Sequence, residues 1–507
     1  MGRAGPLIAA RLASATLSLS IPLVLARTMA LPEYGTYKQL FLVSMTASGL
    51  VPLGMAQSLY FFVPRTTERR ACLAHTLAFL AVAGAAGGLA LWLLGPRIAT
   101  WLSNPALLEH RLELALYTAL LVGAVPLEIS MTAQGRTGRA AATYLVSDAS
   151  KAAVIVLPTL AGHGLHAMMA GMIAWAGARL AATWAIVLPT ARGPVWDGPL
   201  LRRQLAYALP FGMAIAFSIP QQYAHQFIVA HAVGPALFAV YAVACFELPF
   251  VDLFYTPTGE VLMVQLGELD RAGRRSEGAA AFREAVDRLA IILLPPILFV
   301  WAVAPTFILT VFGWRFEAAV PVFRVCLLVM PLAIWPIDAT LRARGATGHI
   351  LLSYVVKAAV AIPLAWVSVQ RWGLMGAAAS YVAAEFLGRL FLGARLPAAL
   401  SSPGARVRLR DLVPAARLLR TLAASVALAL AGAGALELAR AAVGGRPEAT
   451  LTHRLLPLCA AGALFAVGHA GLLLASGVKL PGALGTLLAR IRARPSASLP
   501  IRGERMS

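Results

Sequence analysis

PLEISMTAQGRTGRAAATY, residues 126–144, and PIDATLRARGATGHILLSY, residues 336–354, are two versions of one segment. Pro126, Glu128, Gly135, Gly138 and Tyr144 recur 210 positions later as Pro336, Asp338, Gly345, Gly348 and Tyr354. In each copy an apolar run carries a carboxylate near its end, a glycine-containing loop follows, and a second apolar run begins. A duplication of this kind in a chain of many apolar segments implies two similar helical bundles facing each other. The interface between such bundles is where membrane transporters hold their cargo.

Composition points the same way. With 59% hydrophobic and 13% charged residues and a mean hydropathy of +0.76, the 507-residue chain has about half the charge of an ordinary soluble domain. Apolar runs of about 20 residues, each long enough to cross a bilayer, recur from Leu7 to Gly477. They define an all-α polytopic membrane protein of about fourteen spans. The copies then divide the chain into a six-helix bundle over 1–204, a second over 205–400, a basic linker with two further helices over 401–478, and a basic tail over 479–507. Ser20-Ile-Pro22 against Ser218-Ile-Pro220, and Pro32–Tyr37 against Pro235–Tyr241, extend the repeat to the start of each half. Gly267–Arg288, charged on one face and Ala-rich on the other, has the pattern of a helix lying along the membrane surface. Prolines within spans, among them Pro22, Pro126, Pro158, Pro220, Pro249, Pro336 and Pro363, are expected to bend helices or free carbonyls.

The net charge of +21 is spread over short loops between spans, which excludes a nucleic-acid surface and fits a topology signal. Counted on alternate sides, about 26 Lys/Arg fall on one face and about 9 on the other. Both termini are therefore expected in the cytoplasm, with the chain in a bacterial inner membrane and its basic loops on anionic headgroups. Cys72, Cys245, Cys326 and Cys459 lie in or beside apolar runs and are expected to pack. No P-loop, nucleophile elbow or His/Cys/carboxylate cluster with metal-ligand spacing stands in the chain. No catalytic residue, cofactor or metal is expected.

Ionisable groups inside spans are the functional candidates, because each costs several kcal/mol in hydrocarbon unless paired or hydrated. Glu128 and Asp338 come first, as cation- or proton-coupling groups or, alternatively, as caps of the loops that follow. Glu247, with Asp252 across Pro249, could add a further acidic site. Asp148 with Lys151, and Glu385 with Arg389, are spaced to pair along one helix face. Arg179 and Lys357 have no carboxylate within one turn. Gln221, Gln222, His225 and Gln226 form a polar patch in an apolar span, and Gln57, Ser58 and Tyr60 a smaller one. Amides that both donate and accept suit hydroxyl-rich ligands; interhelical hydrogen bonding is the other use they have in membranes.

Arg27–Tyr37 (RTMALPEYGTY) resembles the first loop of Wzx-type polysaccharide flippases. Gly54–Tyr60 (GMAQSLY), followed by Phe62–Arg65 (FVPR), is similar to the end of that family's second helix, and Val240–Ala244 (VYAVA) to the matching turn of its second half. The resemblance spans roughly residues 5–400 and identifies the superfamily of multidrug, oligosaccharidyl-lipid and polysaccharide exporters. It implies two six-helix bundles in a V around a central cavity. The implied activity is movement of undecaprenyl-pyrophosphate-linked oligosaccharide to the outer leaflet by alternating access, for exopolysaccharide, O-antigen or lipopolysaccharide production. It also implies a monomer whose partners are the lipid-linked oligosaccharide, membrane lipids, a glycan polymerase and a chain-length regulator, with no nucleic acid. A cationic lining for the diphosphate would then draw on Arg11, Arg27, Lys38, Lys151, Arg179, His225 and Lys357. The competing functions are a multidrug cation antiporter, whose cavity would be acidic, a lipid II flippase, and a polysaccharide polymerase or ligase, for which the longest external loop, Leu438–His453, is short.

Overall fold

The computed structural model describes residues 21–402, 406–442 and 451–476; Arg11 and the expected tail lie outside them. Residues 21–28 form the described part of α1. The chain then turns through extended Ala30 into α2 (Leu31–Leu50), with Pro32 in its first turn, where a proline costs no hydrogen bond. Gly54 at φ 74° separates α2 from α3 (Met55–Phe62), and the two are bent by 42°. The long α4 (Arg69–Trp101) follows, then the short α5 (Ala106–Glu109), α6 (Arg111–Gly123) and α7 (Pro126–Ala133). The first half closes with α8 (Thr137–Leu160) and α9 (Leu165–Val187).

The second half follows the same plan through α10 (Gly198–Ala232), α11 (Pro235–Ala244), α12 (Phe250–Arg271), α13 (Gly278–Ala302), α14 (Ala304–Val311), α15 (Ala319–Cys326) and α16 (Ile337–Ala343). Next comes α17 (Thr347–Gly393), two helices meeting at Gly373, which sits at φ 58° and ψ −139°. The short α18 (Leu396–Leu400) and α19 (Leu409–Leu412) lead to α20 (Ala415–Ala442) and α21 (Leu451–Ser476). No strand occurs among the described residues.

Among the described residues nine helices are long and apolar enough to span a membrane, and the bent α2–α3 pair makes ten. The other expected spans fall on α1, on α10, on α11 with α12, and on the second arm of α17, which is counted once among the nine.

The duplicated segment is structurally duplicated as well. Both copies end a short helix in the same Schellman turn. In the first, Gly135 N–H donates to Thr132 O (2.9 Å) and Arg136 N–H to Met131 O (2.9 Å); in the second, Gly345 N–H donates to Arg342 O (3.1 Å) and Ala346 N–H to Leu341 O (2.9 Å). Gly135 and Gly345 stand at φ 76° and 70°, the left-handed conformation that favours glycine. Pro126 and Pro336 each open the acid-bearing helix.

Two expectations change. Gly267–Arg288 is not a single surface helix: α12 ends at Arg271, and α13 starts at Gly278 and runs on into a span. Its apolar face is covered by protein, since Phe282 and Val286 pack with Leu262, Leu266 and Leu341. The eighth span is broken over 245–249, where Pro249 starts α12.

The halves share one core at the end of the bundle carrying the 29–30 and 233–234 turns. Tyr34, Tyr37 and Leu40 of the first half pack there with Phe238, Tyr241 and Phe323 of the second. Helices α2 and α11 touch backbone to backbone, and a Cβ on Gly35 would collide with the Pro235 carbonyl. At the opposite end the cores separate: Leu59, Leu73 and Leu127 belong to one, Leu262, Phe282 and Leu396 to another. The start of α10 crosses over, its Gln204 bonding His75 Nδ1 at 3.1 Å and Ala208 packing with Met55 and Leu80. Helices α20 and α21 clasp α13, with Phe299 stacked on Phe465 at 4.4 Å.

Gly35→Val should force α2 from α11 and lower the thermal unfolding temperature in detergent, by the equivalent of about 1–3 kcal/mol. Gly138→Ala, where an added Cβ meets nothing within 4 Å, should leave it unchanged.

Candidate functional site

The duplicated carboxylates are both engaged by arginines from another helix. Glu128, in the first turn of α7, accepts from Arg179 of α9 at 2.6 Å, with the two side chains 3% and 15% exposed. Asp338, in the first turn of α16, accepts from Arg389 of α17 at 3.2 Å and from the Tyr255 hydroxyl at 3.3 Å. Arg179 and Arg389 are themselves 210 positions apart, so the ion pair is part of the repeat. Arg179 also donates to Ser147 Oγ, while Glu128 Oε1 has no partner.

Arg389 therefore does not pair with Glu385 along its own helix. Glu385 instead accepts from Lys357 at 2.6 Å, across the two arms of α17. Lys357 is buried at 9% exposure, and Gly388 makes room for it, because a Cβ there would lie 2.8 Å from Lys357 Cδ.

In the first half, cations lie on aromatic faces. Lys38 Nζ is 5.5 Å from the Tyr34 ring centre and 6.0 Å from that of Tyr37. Tyr37 contacts Phe41 at 5.4 Å, and Lys151 Nζ sits 5.0 Å from Phe41 and 5.8 Å from Trp175. Arg179 lies over the same Trp175 ring at 5.7 Å. The result is one continuous run from Lys38 to Arg179, held by interactions worth about 0.5–2 kcal/mol each.

The second half lines a partly open cavity of about 300 Å³ between α10, α12, the 3₁₀ stretch Leu327–Ile334 and α17. Gln222, His225, Gln226, Glu247, Asp252, Tyr381, Glu385 and Arg389 give it its polar surface. His225 is fixed by Tyr241 Oη at 2.8 Å and stacks on Tyr381 at 4.3 Å. Gln221 is buried beside it and lines a small pocket with Ser380 and Glu385. The break at 245–249 turns Glu247 into this space. Gln57 lies apart in α3, with its buried Oε1 unpartnered.

Arg27 is at neither place. Its Nε donates to Val311 O at 3.0 Å, and its Nη2 to Thr310 O, at the C-terminal end of α14. Arg315 returns the contact, donating to Ala26 O at 3.1 Å and Arg27 O at 3.0 Å. Each half thus caps the carboxyl end of a helix in the other, as cations do at helix C-termini. Tyr34 meets Phe316 edge-on at 5.8 Å beside this clamp. Sequence reasoning passed over Arg315, which looks like an ordinary loop cation; only its spatial pairing with Arg27 distinguishes it. Arg179 with Arg389 was within reach, since the offset of the repeat predicts it.

A family described as a polysaccharide biosynthesis protein matches residues 24–321. Among curated proteins none matches the chain in sequence. Solved structures share the fold at low identity. A lipid II flippase, MurJ, in an inward closed conformation has a TM-score of 0.63 at 12% identity, covering 92% of this chain and 98% of its own. A multidrug resistance MATE family transporter of the MOP superfamily, inward-facing, has a TM-score of 0.57 at 13% identity over 76% and 95%. A MOP superfamily transporter from Pyrococcus furiosus, titled for the reverse polarity of its binding pocket, has a TM-score of 0.52 at 12% identity over 78% and 94%.

Removing one member of a buried pair strands the other. Glu128→Ala should therefore cost roughly 3–5 kcal/mol, read as thermal unfolding or membrane abundance. Asp338→Ala, at a pair about a fifth exposed on each side, should cost clearly less. Equal losses would show that the two copies are not electrostatically different.

Proposed function

Because the chain belongs to the polysaccharide biosynthesis protein family, we propose that it is a flippase that carries an undecaprenyl-pyrophosphate-linked oligosaccharide across a bacterial inner membrane by alternating access. The observation that carries this is the division of the core. The halves share packing at one end and have separate cores at the other, which is the geometry of two bundles rocking about a common seam. With the Arg-rich loops and both termini in the cytoplasm, the seam is external and the halves part toward the cytoplasm. The Arg27–Arg315 clamp then serves as the external latch. It is built from helix ends and two side chains, so it can release without unfolding either bundle.

The charge pattern fits such a cargo. Lys38 and Lys151 stand on aromatic faces, with Asp148 one helical turn before Lys151. They are the groups we assign to the diphosphate, with Arg179 held in place by Glu128. The amides Gln221 and Gln222, with His225, are assigned to the sugar hydroxyls, and Gln57 to the cargo's path along α3. Coupling to a cation falls to Glu247, because Glu128 and Asp338 are already held by guanidinium groups. The lipid tail remains in the bilayer.

Lys38→Ala and Lys151→Ala should each reduce surface polysaccharide at least about tenfold, as loss of a charge contact of about 1.4 kcal/mol would. Membrane abundance should not change, and lipid-linked oligosaccharide should accumulate. Normal surface glycan in the double variant would overturn the anionic-cargo assignment. One observation favours a cation exporter instead: the second-half cavity presents Glu247, Asp252 and Glu385 against Arg389. Export of a cationic dye from cells, abolished by Glu247→Gln, would support that function in place of the flippase.

A further inference from the structure

We propose that His110, His166 and Glu109 form a binding site for a divalent transition-metal ion of the zinc class, oriented by Glu113. The cluster lies in the first half, at the same end as the clamp and away from the cavity. His110 occupies the single-residue joint between α5 and α6, and His166 is the second residue of α9. Glu109 closes α5. One donor atom of each of these three residues lies within 4.8 Å of the others.

Glu113 supplies the chemistry that makes this more than a polar cluster. Its Oε2 lies 2.6 Å from His110 Nδ1 and its Oε1 2.8 Å from His166 Nδ1. One carboxylate thus holds both imidazoles by the same nitrogen. Each ring donates Nδ1–H and keeps its lone pair on Nε2. This is the carboxylate–histidine arrangement that fixes the tautomer of metal-ligating histidines. The rings lie 4.2 Å apart at 44°, side by side, with both Nε2 atoms available.

Two imidazoles and a carboxylate are the donors of open zinc sites, with water in the fourth position. Tetrahedral ligation at about 2.0 Å needs donors about 3.3 Å apart, so the three must draw together by at most about 1.5 Å. His110 is buried and its ring is 5% exposed, while His166 is 62% exposed and Glu109 is exposed. The fixed ligand is therefore the buried one, and the two that must move stand at the surface, His166 turning about its contact with Glu113. The donors are separated by 56 residues, which hid the cluster from any search by spacing.

The site also has a structural consequence. The ion would tie the α5–α6 joint to α9, next to the segment through which the first half reaches the second. There Ser103 Oγ donates to His231 O at 2.8 Å and Trp101 stacks on His231 at 4.9 Å. Occupancy would stiffen one bank of the seam.

The test is Co²⁺ titration of the full-length, tag-free, chelator-treated protein in detergent, followed by Zn²⁺ competition. Wild type should develop the visible bands of four- or five-coordinate Co²⁺ saturating at one equivalent, and Zn²⁺ should bleach them. His166→Gln, at an exposed position, should unfold thermally like metal-free wild type but lose the bands. Glu113→Gln should retain binding weakened roughly 10–100-fold. Absence of saturable bands in wild type, or wild-type affinity in His166→Gln, would overturn the site and leave the four residues as an ion-paired cluster.

Discussion

An ionised side chain in hydrocarbon costs several kcal/mol unless a counter-charge reaches it, and in this chain the counter-charges come from other helices. Glu128 meets Arg179 across α7 and α9, Asp338 meets Arg389 across α16 and α17, and Lys357 meets Glu385 across a helical hairpin. Each pair ties together helices that otherwise present mostly alkyl surface to one another. Between apolar helices in lipid there is no hydrophobic drive to choose a partner. Charge pairing supplies that choice, so the arrangement of each bundle follows from where its few charges stand.

The repeat explains why the halves resemble each other, and its departures explain where they differ. The carboxylate, the arginine and the Schellman glycine are conserved between the copies. Around them the first half collects lysines on aromatic rings, while the second opens a cavity bordered by carboxylates and amides. A two-fold scaffold therefore carries an uneven distribution of charge: lysines on aromatic rings in one half, carboxylates and amides around a cavity in the other.

The seam depends on a different principle. At the end shared by both halves, Gly35 lets two helix backbones touch, and Arg27 with Arg315 satisfies carbonyls that the ends of α1 and α14 leave open. These contacts are short-range and few. Packing of Tyr34, Tyr37, Phe238 and Tyr241 gives the seam its strength, while the arginines give it a register. Toward the other end the cores are separate, joined by the start of α10, which packs on the first half.

Much of this was legible in the residues themselves. Hydropathy and the 210-residue offset specified an all-helical membrane chain of two like halves, because crossing a bilayer demands about 20 apolar residues per helix whatever surrounds them. Of the matched prolines, Pro126 and Pro336 stand where helices begin, whereas Pro220 lies inside the continuous α10. Partner choice was not legible. Glu385 and Arg389 stand one turn apart, yet each turns to a different residue, because a nearer or better-aligned charge lies on a neighbouring helix. Arg27 looked like a cavity cation and closes a helix end in the opposite half; Gly267–Arg288 looked like one surface helix and is parts of two, with their apolar face covered by protein. Local spacing determines which face a side chain takes, whereas what that face meets depends on the packing of segments hundreds of residues apart, and that was decided by the tertiary structure alone.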